Sequence, residues 1–228
     1  MRNIVMMVIF CFTANMMMAQ DEVIQFTSAN ESDPAARKIL EKLKTKFNNL
    51  ESMEAKFTLN ITVPEQEPII QKGSFIQNKN KYRIEVADKT IISDGNALWY
   101  YMKNQNEVQI NDVEELDVNS GVITPSTLLK IYDKNEHVFI LADEISTKGT
   151  VHQIIEFKPL DPDADIFKIT LVVDKKKQEI VSFKTFFKDG IRYKLILDKL
   201  ATNKSYPNTT FIFDPKKYPD IYVEDLRN

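Results

Sequence analysis

The chain has 228 residues, a formal net charge of −3 and one cysteine, Cys11. The mild negative balance argues against nucleic acid as a partner. A lone cysteine so near the start leaves the rest of the chain without disulfides, thiol catalysis or cysteine-based metal sites. About 200 residues can bury a core unaided, and a β-rich chain of that length commonly forms one domain.

Residues 1–20 read as a secretory signal peptide. Arg2 supplies the positive charge, Ile4 to Met18 is almost wholly apolar, and Ala19-Gln20 precedes Asp21-Glu22. The apolar run falls short of the roughly 20 residues that a spanning helix needs. Phe10 before Cys11 is too large for a lipid-attachment site. Residues 21–33 are polar and read as a loose leader, and 34–228 as a single domain exported in soluble form.

Asp33 as N-cap and Pro34 at the first helical position open a helix. Ala36, Ile39 or Leu40, Leu43, Phe47 and Leu50 recur at helical spacing, opposite Lys38, Glu41, Lys42, Lys44 and Lys46. Such a helix must lie against something apolar. In the strand that follows, Met53, Ala55, Phe57, Leu59, Ile61 and Val63 alternate with Glu54, Lys56, Thr58, Asn60 and Thr62. After a turn from Pro64 to Pro68, the stretch Gly73 to Tyr101 supplies four strands. In it Tyr82, Ile84 and Val86 alternate with Lys81, Arg83 and Glu85. Ser93-Asp94-Gly95-Asn96 predicts a type I′ hairpin, and Leu98-Trp99-Tyr100-Tyr101 holds the only tryptophan.

Glu107 to Ile110 is the next strand, and Asn111 to Gly121 is polar and acidic. Thr124 and Pro125 start a second short helix reaching Tyr132, a candidate plug or lid. Strands resume at His137–Ile145 and Val151–Phe157. Three long strands follow, carrying on one face Phe167, Ile169, Leu171 and Val173, then Val181, Phe183, Thr185 and Phe187, then Ile191, Tyr193, Leu195 and Leu197. Thr209 to Phe213 predicts a last strand before Asp214-Pro215. The sum is a mainly β (α+β) chain of about 11 strands, mostly antiparallel meander, with two helical segments that could cover a sheet able to close only partly.

Chemistry-bearing groups are sparse. His137 and His152 sit inside strands without an acid or cysteine at ligand spacing. No nucleophile elbow or HExxH occurs, and five glycines leave little for phosphate cradles. Asp161-Pro162-Asp163-Ala164-Asp165 resembles the start of a calcium loop, but Ile166 and Val172 stand where Gly and Glu are needed. No cofactor or metal is expected, and an enzyme working on carboxylates alone is the weaker alternative. Large apolar side chains are in excess instead, with 14 Phe and 8 Tyr. A partly closed sheet with one aromatic-rich face is either a pocket for something greasy or a core filled by its own side chains.

Four segments, in order, resemble the LolA family of periplasmic lipoprotein carriers. They are the Pro34–Phe47 helix running into Glu51-Ser52-Met53-Glu54-Ala55-Lys56-Phe57, the SDG-x-x-LW-x-Y pattern from Ser93 to Tyr101, Thr124-Pro125-Ser126-Thr127-Leu128-Leu129, and Phe211-Ile212-Phe213-Asp214-Pro215 with the tail to Arg227. The resemblance covers about residues 34–227. It implies a half-barrel with helices over its mouth, a hydrophobic cavity for lipoprotein acyl chains, no enzyme activity and a periplasmic location. It also implies an inner-membrane ATP-driven release complex and an outer-membrane acceptor as partners of a monomer. On that basis the cavity candidates are Phe57, Leu59, Phe75, Tyr82, Leu98, Trp99 and Tyr100, with Leu43, Phe47, Leu128 and Leu129 on the lid. Alternation does not say which strand face lines the cavity. Lys79 is the cation nearest to the place where family members often carry a lid-closing Arg, and Tyr82 stands where they place a Phe. The alternative function on the same fold is a lipid- or lipoprotein-binding sensor.

Overall fold

The computed structural model describes residues 28–113, 131–132 and 134–227. Among them, twelve strands form one open sheet. Helix α1 spans Pro34–Asn48. A first meander comprises β1 (Ser52–Thr62), β2 (Ile69–Asn78), β3 (Lys81–Val86), β4 (Lys89–Ser93), β5 (Ala97–Met102) and β6 (Glu107–Asp112). A second comprises β7 (His137–Thr147), β8 (Thr150–Pro159), β9 (Ile166–Asp174), β10 (Glu179–Phe187) and β11 (Arg192–Thr202). Antiparallel pairing of β1 with β11 joins the two. The order is β12-β6-β5-β4-β3-β2-β1-β11-β10-β9-β8-β7, in which β12 (Tyr222–Asp225) lies parallel to β6. The edge strands β12 and β7 do not meet, so the sheet is a half-barrel rather than a closed one.

The start of α1 follows local rules. Pro34 occupies the first turn, and the Asp33 carboxylate accepts from the Ala35 N–H at 2.8 Å. Residues 28–33, the described end of the segment expected to be a loose leader, pack against the sheet. Ala29–Glu31 forms a 3₁₀ turn, and Ala29 and Ser32 are buried. Its polar residues are needed because β7 is an edge strand with unpaired backbone groups. The Phe139 N–H donates to Ser32 Oγ, the Asp33 N–H donates to the Phe139 carbonyl, and the Leu141 N–H donates to Asp33 Oδ2. Asp33 thus caps the helix and pins it to the sheet edge. Asp33→Ala should lower unfolding stability by about 1–2 kcal/mol through the lost cap, with the strand bond adding to it. Urea denaturation followed by circular dichroism measures this, and a loss of a few tenths or less would contradict the double role.

Two other expectations differ from the structure. Thr209–Phe213 is not a strand: Asn208–Phe211 is a 3₁₀ turn in a tail laid across the sheet's outer face. Phe211 and Phe213 are buried and Ile212 is exposed. A segment lying flat on a sheet shows the same in–out alternation as a paired strand. The last strand is instead β12, in a tail that carries no strand-like alternation. At the 93–96 turn only Gly95 has positive φ, +93°, so it is not type I′, which needs two such residues. The Asp94 carboxylate holds it by accepting from the N–H groups of Asn96 and Ala97. The signal peptide and most of the predicted second helix lie outside the described residues.

Candidate functional site

The two faces of the sheet carry different cores. We call the face bearing α1 the inner face. There Ala36, Ile39, Leu40 and Leu43 of α1 pack with apolar residues from both meanders in one continuous cluster. The N-terminal end of α1 is stitched to β7, and Arg37 lies over the Phe139 ring at 5.2 Å. Its C-terminal end is held at the turn between β9 and β10, where Lys46 Nζ donates to the Lys177 carbonyl and to Glu179 Oε1, each at 3.0 Å. The helix therefore lies along the second meander. Around the cluster, Leu59, Val86, Tyr100, Phe187 and Leu197 remain only partly buried. On the outer face, Ile92, Tyr101 and Val108 are covered by the C-terminal tail. Phe213 and Tyr218 stack there at 4.8 Å, and Tyr101 meets both.

Register explains which predicted residues share the inner face. Ala55 stands opposite Phe75, Phe75 opposite Ile84, Ile84 opposite Ile91, and Ile91 opposite Tyr100. Phe57 stands opposite Gly73, which in turn faces Val86. Gly73 matters here because the Phe57 ring lies over it in the space a Cβ would take. Phe57, Leu59, Phe75, Tyr82, Leu98 and Tyr100 all lie in or against the inner cluster, as do Leu43 and Phe47 on α1. Trp99 does not. It alternates with Leu98 and Tyr100, so it points outward and packs with Ile92 against the tail. Leu128 and Leu129 lie outside the described residues. Lys79 sits exposed at the β2–β3 hairpin tip, with φ +54° and its carbonyl accepting from Gln77 Nε2. Among the described residues no ion pair places Lys79 at a lid.

Sequence reasoning assigned no role to the inner residues of the second meander, Phe139, Ile155, Phe157, Ile169, Leu171 and Leu195, all buried in the same cluster. Their alternation was visible in the strands. Only the pairing of β1 with β11 brings them onto the same face as Phe57.

Polar groups on the inner face are few. Tyr82 is 9% exposed, and its hydroxyl has no hydrogen bond of ordinary geometry among the described residues. Burial pushes it up to about 12, Tyr100 adds to the rise, and Ser93 opposes it from outside ordinary hydrogen-bond geometry. Thr185 is fully buried with an unpartnered hydroxyl. Among the described residues no group of His, Cys, Asp and Glu is placed to hold a metal.

His137, the first residue of β7, is partly buried with Nδ1 unpartnered. Burial lowers its pKa from the ordinary 6.5, while Glu136 pulls it the other way. The unfolded chain therefore takes up this proton first as pH falls. Stability is intact above pH 6.5 and is lost as pH falls from there through the lower folded value. His137→Gln should flatten the fall in unfolding free energy below pH 6.5, measured by denaturant titration across pH. An unchanged slope would show that His137 does not carry it.

A family model described as "Outer membrane lipoprotein carrier protein LolA" matches residues 48–214. Among solved structures, an uncharacterized conserved protein from Thermus thermophilus aligns with a TM-score of 0.55 at 11% identity, over 85% of this chain and 99% of that one. A LolA superfamily protein from Nitrosomonas europaea aligns with a TM-score of 0.41 at 12% identity, over 78% and 98%. A putative outer membrane lipoprotein-sorting protein domain from Vibrio parahaemolyticus aligns with a TM-score of 0.39 at 11% identity, over 76% and 94%. At these identities the likeness concerns the fold alone, and the Thermus protein carries it. No curated protein matches the chain.

Proposed function

This chain belongs to the LolA family, and from that premise we propose that it carries the acyl chains of lipoproteins on the inner face of its half-barrel, from the inner to the outer membrane through the periplasm. The observation that supports this most directly is the partly buried rim of the inner cluster. Among the described residues, Leu59, Val86 and Tyr100 of the first meander and Phe187 and Leu197 of the second pack against the cluster only partly buried, beside an α1 held along the second meander. A continuous apolar face with a partly buried rim is suited to an apolar guest.

Burying a methylene stabilises by about 0.8 kcal/mol, so even partial cover of one long chain is a large favourable term. A carrier must also release its cargo. The contacts of Ile39, Leu40 and Leu43 with the sheet provide the competing state, because an acyl chain entering the cluster has to displace them. The partners of this reading are acylated lipoproteins, an inner-membrane ATP-driven release complex and an outer-membrane acceptor, met by a monomer. No catalytic step enters it.

The test is to purify the mature protein from periplasm without detergent and extract it for mass spectrometry. Acylated protein in stoichiometric complex, released on addition of outer-membrane vesicles, is the expected result. Free lipid without protein would favour a lipid-binding sensor on the same fold. An empty protein that accepts no lipoprotein from inner-membrane spheroplasts would overturn the carrier reading.

A further inference from the structure

We propose that the Tyr82 hydroxyl is a polar anchor on the inner face, donating a hydrogen bond to the carbonyl oxygen at the head of a bound acyl chain, the ester or amide that joins the chain to the rest of the molecule. This rests on the reading that the inner face takes acyl chains.

The argument starts from an unmet donor. Tyr82 stands on β3 within the cluster that holds Phe75, Ile84, Ile91 and Leu98, and its hydroxyl has no hydrogen bond of ordinary geometry among the described residues. Leaving a buried hydroxyl unpaired is costly, and Phe would fill the same volume without that cost. Ser93, directly opposite on β4, acts on the phenol only from outside ordinary hydrogen-bond geometry, while its Oγ accepts from the Gly95 N–H. The phenol is neutral at physiological pH, as any tyrosine is at its ordinary 10.0 and the more so with burial raising it, so it is available as a donor.

The chemistry of the guest supplies the complement. An acyl tail has no polar atoms. Its linkage carries a carbonyl oxygen, a pure acceptor that loses its water when the chain is buried. An O–H donor in an apolar wall meets that loss where an apolar residue does not. The position is suitable too. Tyr82 is the second residue of β3, next to the exposed Lys79-Asn80 hairpin tip. A carbonyl held there leaves the head of the guest at the solvent end of the sheet and the chain free to run along the cluster.

The other unpartnered hydroxyl of this face, on Thr185, belongs to a different level. Tyr82 aligns through Gln77 with Met53 of β1, and Thr185 aligns through Tyr193 with Ile61. These rows are eight residues apart on β1, or about 26 Å along the strand. Thr185 is therefore a control at the opposite strand end.

The experiment compares ester-linked dioleoyl phosphatidylglycerol with its ether-linked dialkyl analogue, each displacing a fluorescent fatty acid from the delipidated protein. The wild type should prefer the ester by about fivefold, the worth of one neutral hydrogen bond. Tyr82→Phe should lose that preference while binding the ether as the wild type does, and its thermal midpoint should be unchanged or higher. Thr185→Val should keep the preference. A Tyr82→Phe protein that still prefers the ester, a wild type that binds both lipids equally, or a preference lost in Thr185→Val would each overturn the assignment. A wild type that binds neither lipid would overturn the acyl-chain reading itself and the anchor with it.

Discussion

Leu43→Ala is expected to destabilise the free protein by about 2–5 kcal/mol while raising the stabilisation that an acyl ligand confers. Leu43 is fully buried where α1 meets the sheet, within the cluster that includes Phe57, Phe157 and Leu171. Truncation removes a side chain that fills the inner face in the free protein. The free protein then loses packing, but an incoming chain has less to displace and more room to occupy. The two effects have opposite signs, which separates a cover from an ordinary core residue. Urea midpoints with and without dioleoyl phosphatidylglycerol measure both. The gap between bound and free midpoints should widen in the variant. Equal losses in both states would mean that Leu43 packs away from the ligand, and that α1 does not compete with it.

Gly73→Ala is the second large effect, about 3 kcal/mol or more of lost stability. The new Cβ would overlap the Phe57 ring and approach the backbone oxygen of Glu85 at 2.6 Å. The ring can move by rotating, but the oxygen belongs to the β2–β3 ladder, in which Gly73 pairs with Val86 and Ser74 with Glu85. Adding Phe57→Leu should therefore restore only part of the loss. Full restoration by the double variant would place the whole conflict on the ring. No restoration would place it on the backbone. Acyl-chain binding should fall in Gly73→Ala, because Phe57 has to leave its place over Gly73 and enter the space of the cluster.

Trp99 shows where sequence reasoning stops. Leu98, Trp99 and Tyr100 are all large and adjacent, and all three fit an aromatic-rich cavity. A strand sends neighbours to opposite sides, so at most two of them could line one face. Choosing the pair required knowing that Leu98 and Tyr100 join the cluster into which α1 packs, while Trp99 joins the cluster that Phe213 and Tyr218 of the tail complete. Both clusters join residues far apart in the chain. The same limit applies to the tail, where the alternation of Phe211, Ile212 and Phe213 reads equally well as a paired strand or as a strap on the sheet surface. Gly73 gave no signal at all, since its role depends on a ring from the neighbouring strand.

What the sequence determined by itself was local. The α1 cap at Asp33 and Pro34, the helical stripe from Ala36 to Leu43, the division of each strand into two sets of residues and the presence of a turn at Asp94-Gly95 each follow from bonds and spacings within a few residues. Tertiary structure decided the rest: the joining of the meanders through β1 and β11, the assignment of one face to α1 and the other to the tail, the burial of the residues before α1 against the edge of β7, and the isolation of the Tyr82 hydroxyl. The physical reason is symmetry. A period of two fixes which side chains travel together but leaves the two faces of a sheet equivalent, and only a segment distant in sequence, by packing on one of them, makes them different.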